Sequence, residues 1–197
     1  VMRETGLIVH DDGKARCPWC GTLPEYMAYH DDEWGVPERD SRALFEKLIL
    51  DGFQAGLAWI TILRKRDGFR RRFEGFEPAT LARWGEAEIA GALADPGIVR
   101  HRGKIEATIG NARGYLDIEA REGDFSRFLW SFVKDRPIVN TWTSISQAPT
   151  SSPEAEAMSK ALRQFGFRFV GPTIVYAFMQ AVGMVDDHLA GCHAKRG

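Results

Sequence analysis

Six of the chain's eight cysteine and histidine side chains stand in two clusters near its opposite ends, Cys17, Cys20 and His30 in one and His188, Cys192 and His193 in the other. Thiolate and imidazole are the ligands that a structural zinc site collects, four at a time, in a tetrahedron with no position left for water. A site drawing on both clusters would fasten the two termini together, a tighter constraint on the fold than any local propensity. His188 and Cys192 are one helical turn apart, so a helix would point both at one ion. Spacing leaves open which four of the six bind, and unrelated thiols and surface histidines are the alternative reading.

The compartment bears on that choice. The opening residues, VMRETGLIVHDDGKAR, lack the long apolar segment of an export signal, so the expected location is the reducing cytoplasm and the cysteines are expected as thiols or metal ligands. No stretch approaches the roughly 20 uninterrupted apolar residues of a membrane span. With 197 residues, 44% of them hydrophobic, the chain is long enough for a real core in one large or two small domains.

Helical periodicity dominates. Asp40-Ser41 is good N-cap chemistry, and Leu44, Phe45, Leu48 and Ile49 follow at the three- and four-residue spacings of one helix face. Gly52 is expected to stop or bend that helix, and Ala55, Ala58, Trp59, Ile62 and Leu63 resume the pattern in a second. Pro78 opens a further helix through Leu81, Trp84 and Ile89, closed by the turn Pro96-Gly97. Ile105 to Leu116, Phe125 to Phe132 and Ala155 to Phe165 fit the same period, the last after the capping run Thr150-Ser151-Ser152-Pro153. Only residues 137–142 look extended. The expectation is an all-α protein without internal repeats or a low-complexity linker.

A net charge of −1 gives no global attraction to nucleic acid, so any such binding must rest on local patches. ILRKRDGFRRRF at 62–73 carries six basic side chains, and IVRHRGK at 98–104 carries three more plus His101. Either run could follow a phosphate backbone, though a single basic run reads more simply as a solvated helix face. In FRFVGPTIVYAFMQAVG at 167–183, Gly171 and Pro172 break the chain between two apolar runs. A helix opening at Thr173 would turn its first free amides outward, as a phosphate site needs.

The most apolar stretch, LILDGFQAGLAWITIL at 48–63, encloses a carboxylate, Asp51, whose presence there composition does not explain. The segments CPWC at 17–20, YMAYHDDEWGVP at 26–37, this stretch, IVRHRGKIEATIGNARGYL at 98–116, FLWSFV at 128–133 and FGFRFVGPTIVYAFMQAVGMVDDHLAGC at 165–192 supply a context. In order, from Cys17 to Cys192, they resemble the DNA-3-methyladenine glycosylase I family.

That resemblance implies a helix-hairpin-helix glycosylase fold with a zinc-stapled lobe formed by the N- and C-terminal segments, about 17–35 and 184–193. Residues 17–192 would form a single catalytic domain, residues 1–16 an N-terminal extension outside the family pattern, and 193–197 a tail. The implied zinc ligands are Cys17, His30, His188 and Cys192, with Cys20 and His193 outside the set and one structural zinc ion per chain. The implied base pocket is Trp19, Tyr26, Tyr29 and Trp59, with Asp51 as the acid beside the base. Ordinary core packing is the bland reading of these aromatics, of Trp59 above all. Gln54, Gly56 and Leu57 match the segment pushed into the gap left by a flipped base, and Gly171 matches the hairpin turn that meets DNA.

The implied activity is hydrolysis of the N-glycosidic bond of 3-methyladenine in alkylated double-stranded DNA, by a monomer. No cleft lysine stands out for a Schiff base, so strand cleavage is not expected. This chain departs from the family pattern in having Asp51 for Glu, Phe53 and Ala58 for Gln and Ser, and Asp186 for Asn. Asp186 in its V-D-x-H context would stabilise the sugar cation, or else cap a helix or orient His188. The reading from another class is a zinc-stabilised module that recognises damaged DNA without excision.

Overall fold

The structure is a computed structural model that describes residues 6–197; the first five residues of the expected N-terminal extension lie outside the described range. Nine α-helices account for most of it. Asp40 caps helix α2 (Ser41–Gln54), its side chain accepting from the Ala43 amide at 3.2 Å. The inner face of α2 buries Leu44, Phe45, Leu48, Ile49 and Phe53. Burying such a side chain contributes about 1.5–3 kcal/mol, and α2 does so against helices on several sides. Its neighbours are α3 (Trp59–Arg72), α6 (Arg102–Glu122), α7 (Phe125–Trp130) and α9 (Pro172–Ala181). Helix α1 (Pro24–Asp32) precedes it, and α4 (Pro78–Leu81), α5 (Glu86–Leu93) and α8 (Pro153–Gln164) complete the set.

The helices expected from periodicity are present, with shifted ends. The one expected after Pro78 is two, because residues 82–85 turn between α4 and α5. Gly52 does not stop α2, which runs two residues further to Gln54. An added Cβ at Gly52 would lie 3.4 Å from both the Cβ and the carbonyl oxygen of Phe169, so the glycine serves close approach of another segment. The break falls at residues 55–58, all exposed, where Gly56 takes φ +83°, a conformation strained for any residue with a Cβ.

Helices α8 and α9 pack on each other across the turn 165–171 to form the helical hairpin. Asn111 of α6 clasps that turn from both sides, donating to the Arg168 carbonyl at 3.1 Å and accepting from the Arg168 amide at 2.8 Å. The extended segment is strand β3 (Ile138–Val139), parallel to β4 (Val185–Asp186) with Ile138 opposite Val185. Strands β1 (Ile8–Val9) and β2 (Ala15–Arg16) form an antiparallel hairpin that periodicity does not reveal, since two residues are too few to show alternation.

The core has two parts. The larger runs through the helices, while a smaller one gathers Leu7, Cys17, Leu189 and Cys192, so that both ends of the chain share one small apolar centre. Among the described residues no helix is long and apolar enough to cross a membrane.

Candidate active site

Where the two chain ends meet α2, α3 and α9, a cavity of about 290 Å³ opens. Trp19, on a single 3-10 turn at Pro18–Cys20, contributes one wall, and Tyr26 and Tyr29, three apart on α1, contribute the next. Trp19 lies 5.3 Å from the ring of Tyr26, and Tyr29 lies 5.6 Å from Trp59 at the start of α3. The four aromatics of the expected pocket therefore line one cavity, joined by Trp34, Ile145, Ala148, Gln180 and Asp187.

Asp51 enters from α2. Its side chain is 3% exposed, and its Oδ1 accepts from Lys47 Nζ at 3.2 Å, one helical turn earlier. Asp51 Oδ2 and Trp59 Nε1 are buried with no hydrogen-bond partner. An unmet buried polar atom costs about 1–3 kcal/mol, so two beside one cavity mark a place organised for something other than stability. Burial raises the Asp51 carboxyl above its ordinary range and Lys47 opposes the rise; burial lowers the Lys47 ammonium and Asp51 opposes that. The ammonium also sits 3.2 Å from the centre of the Trp59 ring. A cleft lysine is thus present, contrary to the expectation from sequence. The readable signal was its four-residue spacing from Asp51 on a helix already identified as amphipathic.

The two consecutive acids of MVDDH have different surroundings. Asp186, 3% exposed, does not line the cavity. Its Oδ1 accepts from the His188 amide at 3.2 Å and its Oδ2 from the Arg196 and Gly197 amides at 3.0 and 3.3 Å, so it holds the C-terminal tail. Asp187 is the one at the cavity wall. Asn140 Nδ2 and Trp142 Nε1 donate to its Oδ1 at 2.7 and 2.9 Å, and the Tyr176 hydroxyl and Gln180 Nε2 donate to its Oδ2. The expected role of Asp186 beside the sugar does not fit this placement. The expected orientation of His188 does, through the backbone amide of that residue.

Beside the cavity, Cys17, His30, His188 and Cys192 converge, all four buried, with their ligand atoms within 4.8 Å of one another. Cys192 Sγ is 3.5 Å from His30 Nε2 and 3.6 Å from His188 Nδ1, and Cys17 Sγ is 3.8 Å from His188 Nδ1. A tetrahedral set with metal–sulfur and metal–nitrogen bonds of about 2.3 and 2.0 Å separates S from N by roughly 3.5 Å. The outer ring nitrogens complete the fit. His30 Nδ1 donates to Asp31 Oδ1 at 2.7 Å and His188 Nε2 to the Trp34 carbonyl at 2.8 Å, leaving each inner nitrogen's lone pair aimed at the cluster. The group can hold a metal ion.

Cys20 and His193 stay outside it, Cys20 donating to the Cys17 carbonyl at 3.2 Å and His193 to Asp31 at 2.9 Å. His188 and Cys192 flank the turn at 190–191 and are not on a helix. Asp31 in turn receives Arg16, which is 3% exposed and also bonded to Asp12. Part of the expected extension is therefore packed against this lobe.

The basic runs are largely paired or capped within the fold. Of the run at 62–73, Arg64 pairs with Glu25, Arg66 with Glu33, Arg70 with Glu46 and Arg72 with Asp95, and Lys65 donates to the Pro96 carbonyl. The solvated helix face is the reading that fits. In the second run, His101 caps α6, and Lys104, 8% exposed, donates to the carbonyls of Phe53 and Ala55 at 3.0 and 3.1 Å. Lys104 thereby holds the end of α2 and the start of the loop that displays Leu57, 41% exposed. Gly171 stands at the N-cap of α9 in the hairpin.

The aromatic cavity with its incompletely satisfied acid lies beside the hairpin of α8 and α9 and the exposed loop tip at Leu57, an all-helical architecture of the helix-hairpin-helix class. Residues 19–195 match the family model described as methyladenine glycosylase, and the chain belongs to that family. It is 52% identical over 177 residues to DNA-3-methyladenine glycosylase 1 of Escherichia coli, covering 90% of this chain and 95% of that one. To DNA-3-methyladenine glycosylase of Haemophilus influenzae it is 48% identical over 180 residues, covering 91% and 97%. A solved structure of 3-methyladenine DNA glycosylase I from Staphylococcus aureus, described for its recognition of 3-methyladenine, superposes with a TM-score of 0.90 at 41% identity, covering 92% of this chain and 97% of that one.

Proposed function

We propose that this protein is a DNA repair glycosylase that flips 3-methyladenine out of alkylated double-stranded DNA and hydrolyses its N-glycosidic bond, leaving an abasic site. The observation that carries the proposal is the acid in the aromatic cavity, Asp51, with one carboxylate oxygen still unbonded. A nucleotide methylated on this ring nitrogen is cationic, so its glycosidic bond is already weak and its leaving group needs little acid catalysis. The protein's tasks are then to select the base and to stabilise the electron-poor sugar that forms.

Trp19, Tyr26 and Tyr29 offer ring faces, each worth about 0.5–2 kcal/mol to a cation, while Trp59 closes the pocket with its face against Lys47. The unpartnered Asp51 Oδ2 accepts from the base in this reading. Gln54, Gly56 and Leu57 fill the gap left in the duplex, with the exposed Leu57 as an apolar wedge. Gly171 and the opening amides of α9 meet a backbone phosphate. Lys47 is engaged by Asp51 and Trp59, which supports hydrolysis without strand cleavage. One base is handled by one copy of the cavity, and the protein acts as a monomer.

The metal we assign is zinc, held by Cys17, His30, His188 and Cys192. Four protein ligands leave no open position, so bound zinc supplies structural cross-linking and no hydrolytic chemistry. Trp19 lies 5.2 Å from His30 and Trp34 lies 4.6 Å from His188, so the staple sets two walls of the cavity.

Incubation with methylated duplex DNA, with chromatography of the released bases, tests the proposal. It predicts free 3-methyladenine and intact strands until alkali is added. DNA binding without base release would favour a damage-recognition module, and borohydride trapping of a covalent adduct would overturn the assignment of simple hydrolysis.

A further inference from the structure

The cavity contains a cation of its own. Lys47 Nζ stands 3.2 Å from Asp51 Oδ1 and 3.2 Å from the Trp59 ring centre, with Tyr29 at 5.5 Å. A carboxylate and an electron-rich ring face are the two features that bind a cationic base, and the ammonium engages both. A charged base entering between Asp51 and Trp59 must displace the ammonium or accept a like charge beside it. A neutral base faces no such penalty.

Room for displacement exists on one side. Lys47 also lines a second cavity of about 240 Å³ behind Tyr29 and Trp59, where Glu33 and Glu46 lie. Those carboxylates are already paired with Arg66 and Arg70, so the ammonium gains less there than it gives up at Asp51. The groups that face it are Asp51 on its own helix, Tyr29 and Glu33 from α1 and the residue beyond, and Trp59 and Arg66 from α3.

We propose that Lys47 is a specificity-determining residue, a tethered cation that occupies the charged-base position and shifts the pocket's preference from cationic toward neutral bases. The inference rests on the proposed glycosylase reading for the identity of the pocket. It concerns how the pocket discriminates by charge.

Two probes of nearly equal shape test it: the free base 3-methyladenine as the neutral ligand and 3,9-dimethyladeninium as the permanent cation. Their affinities for the wild-type holoprotein, Lys47→Met and Lys47→Arg are measured by calorimetry at pH 8, which moves the burial-raised Asp51 toward its anion. Lys47→Met is expected to raise the ratio of cationic to neutral affinity at least tenfold, and Lys47→Arg, which keeps the charge, to stay within about threefold of wild type. An unchanged ratio in Lys47→Met, or binding of neither probe to any of the three proteins, would overturn the inference. Release of 3-methyladenine from methylated DNA, assayed in parallel, reports separately on the glycosylase reading: release with an unchanged ratio rejects the role of Lys47 alone.

Discussion

In the Cys17, His30, His188 and Cys192 cluster both outer ring nitrogens have partners and the Cys17 sulfur accepts from the Leu189 amide at 3.3 Å, whereas in the adjoining cavity Asp51 Oδ2 and Trp59 Nε1 have none. The two centres share the Trp19 and Trp34 walls yet are finished to different degrees. A closed polar centre contributes to the folded state, and an open one is held against its own cost by what surrounds it. The difference fits the proposed division, the first centre holding shape and the second doing chemistry.

Breaking the closed centre has the largest expected effect. Metal binding by such a set couples on the order of 10 kcal/mol to folding. Cys17→Ser is expected to lose the metal and lower Tm by about 10 °C or more, followed by calorimetry and metal analysis. A variant that keeps its metal and its Tm would dissolve the contrast between the two centres.

Asp187 lies at the seam, with four donors on its carboxylate. Asp187→Asn sets an amide N–H₂ against donors, at a cost of about 1–3 kcal/mol. That corresponds to a fall in Tm of roughly 2–12 °C, and the disturbed cavity wall should slow base release about tenfold. Asp186→Asn should do least. It does not line the cavity, and its side chain's hydrogen-bond partners are the amides of His188, Arg196 and Gly197 rather than groups of the pocket, so single-turnover release should stay within about twofold of wild type. A large loss in Asp186→Asn with little in Asp187→Asn would reverse the placement of the two acids.

How much of this was legible follows the range of the interactions. The helices were, because α2, α6 and α8 carry their apolar spacing and caps within a dozen or two residues. Gly52 reads locally as a helix stop because its reason, Phe169, lies more than a hundred residues away. Three arginines of the basic run at 62–73 are paired with Glu25, Glu33 and Glu46, acids of other elements. Asp186 and Asp187 differ because successive side chains of an extended segment point to opposite sides, and motif spacing does not say which side holds the cavity. The ligand set Cys17, His30, His188 and Cys192 came from the family resemblance; spacing left six candidates. Lys47 is marked in the sequence only by its four-residue spacing from Asp51, one turn back along α2.

On the proposed reading Asp51 is buried in the cavity to hold the base. Single-turnover release of 3-methyladenine from methylated duplex DNA, compared between wild type and Asp51→Asn at equal metal content, tests it most directly. Loss of the acceptor that orients the flipped base predicts a rate about 100-fold lower, with Tm changed far less than in Cys17→Ser. A variant releasing base at the wild-type rate would contradict the account.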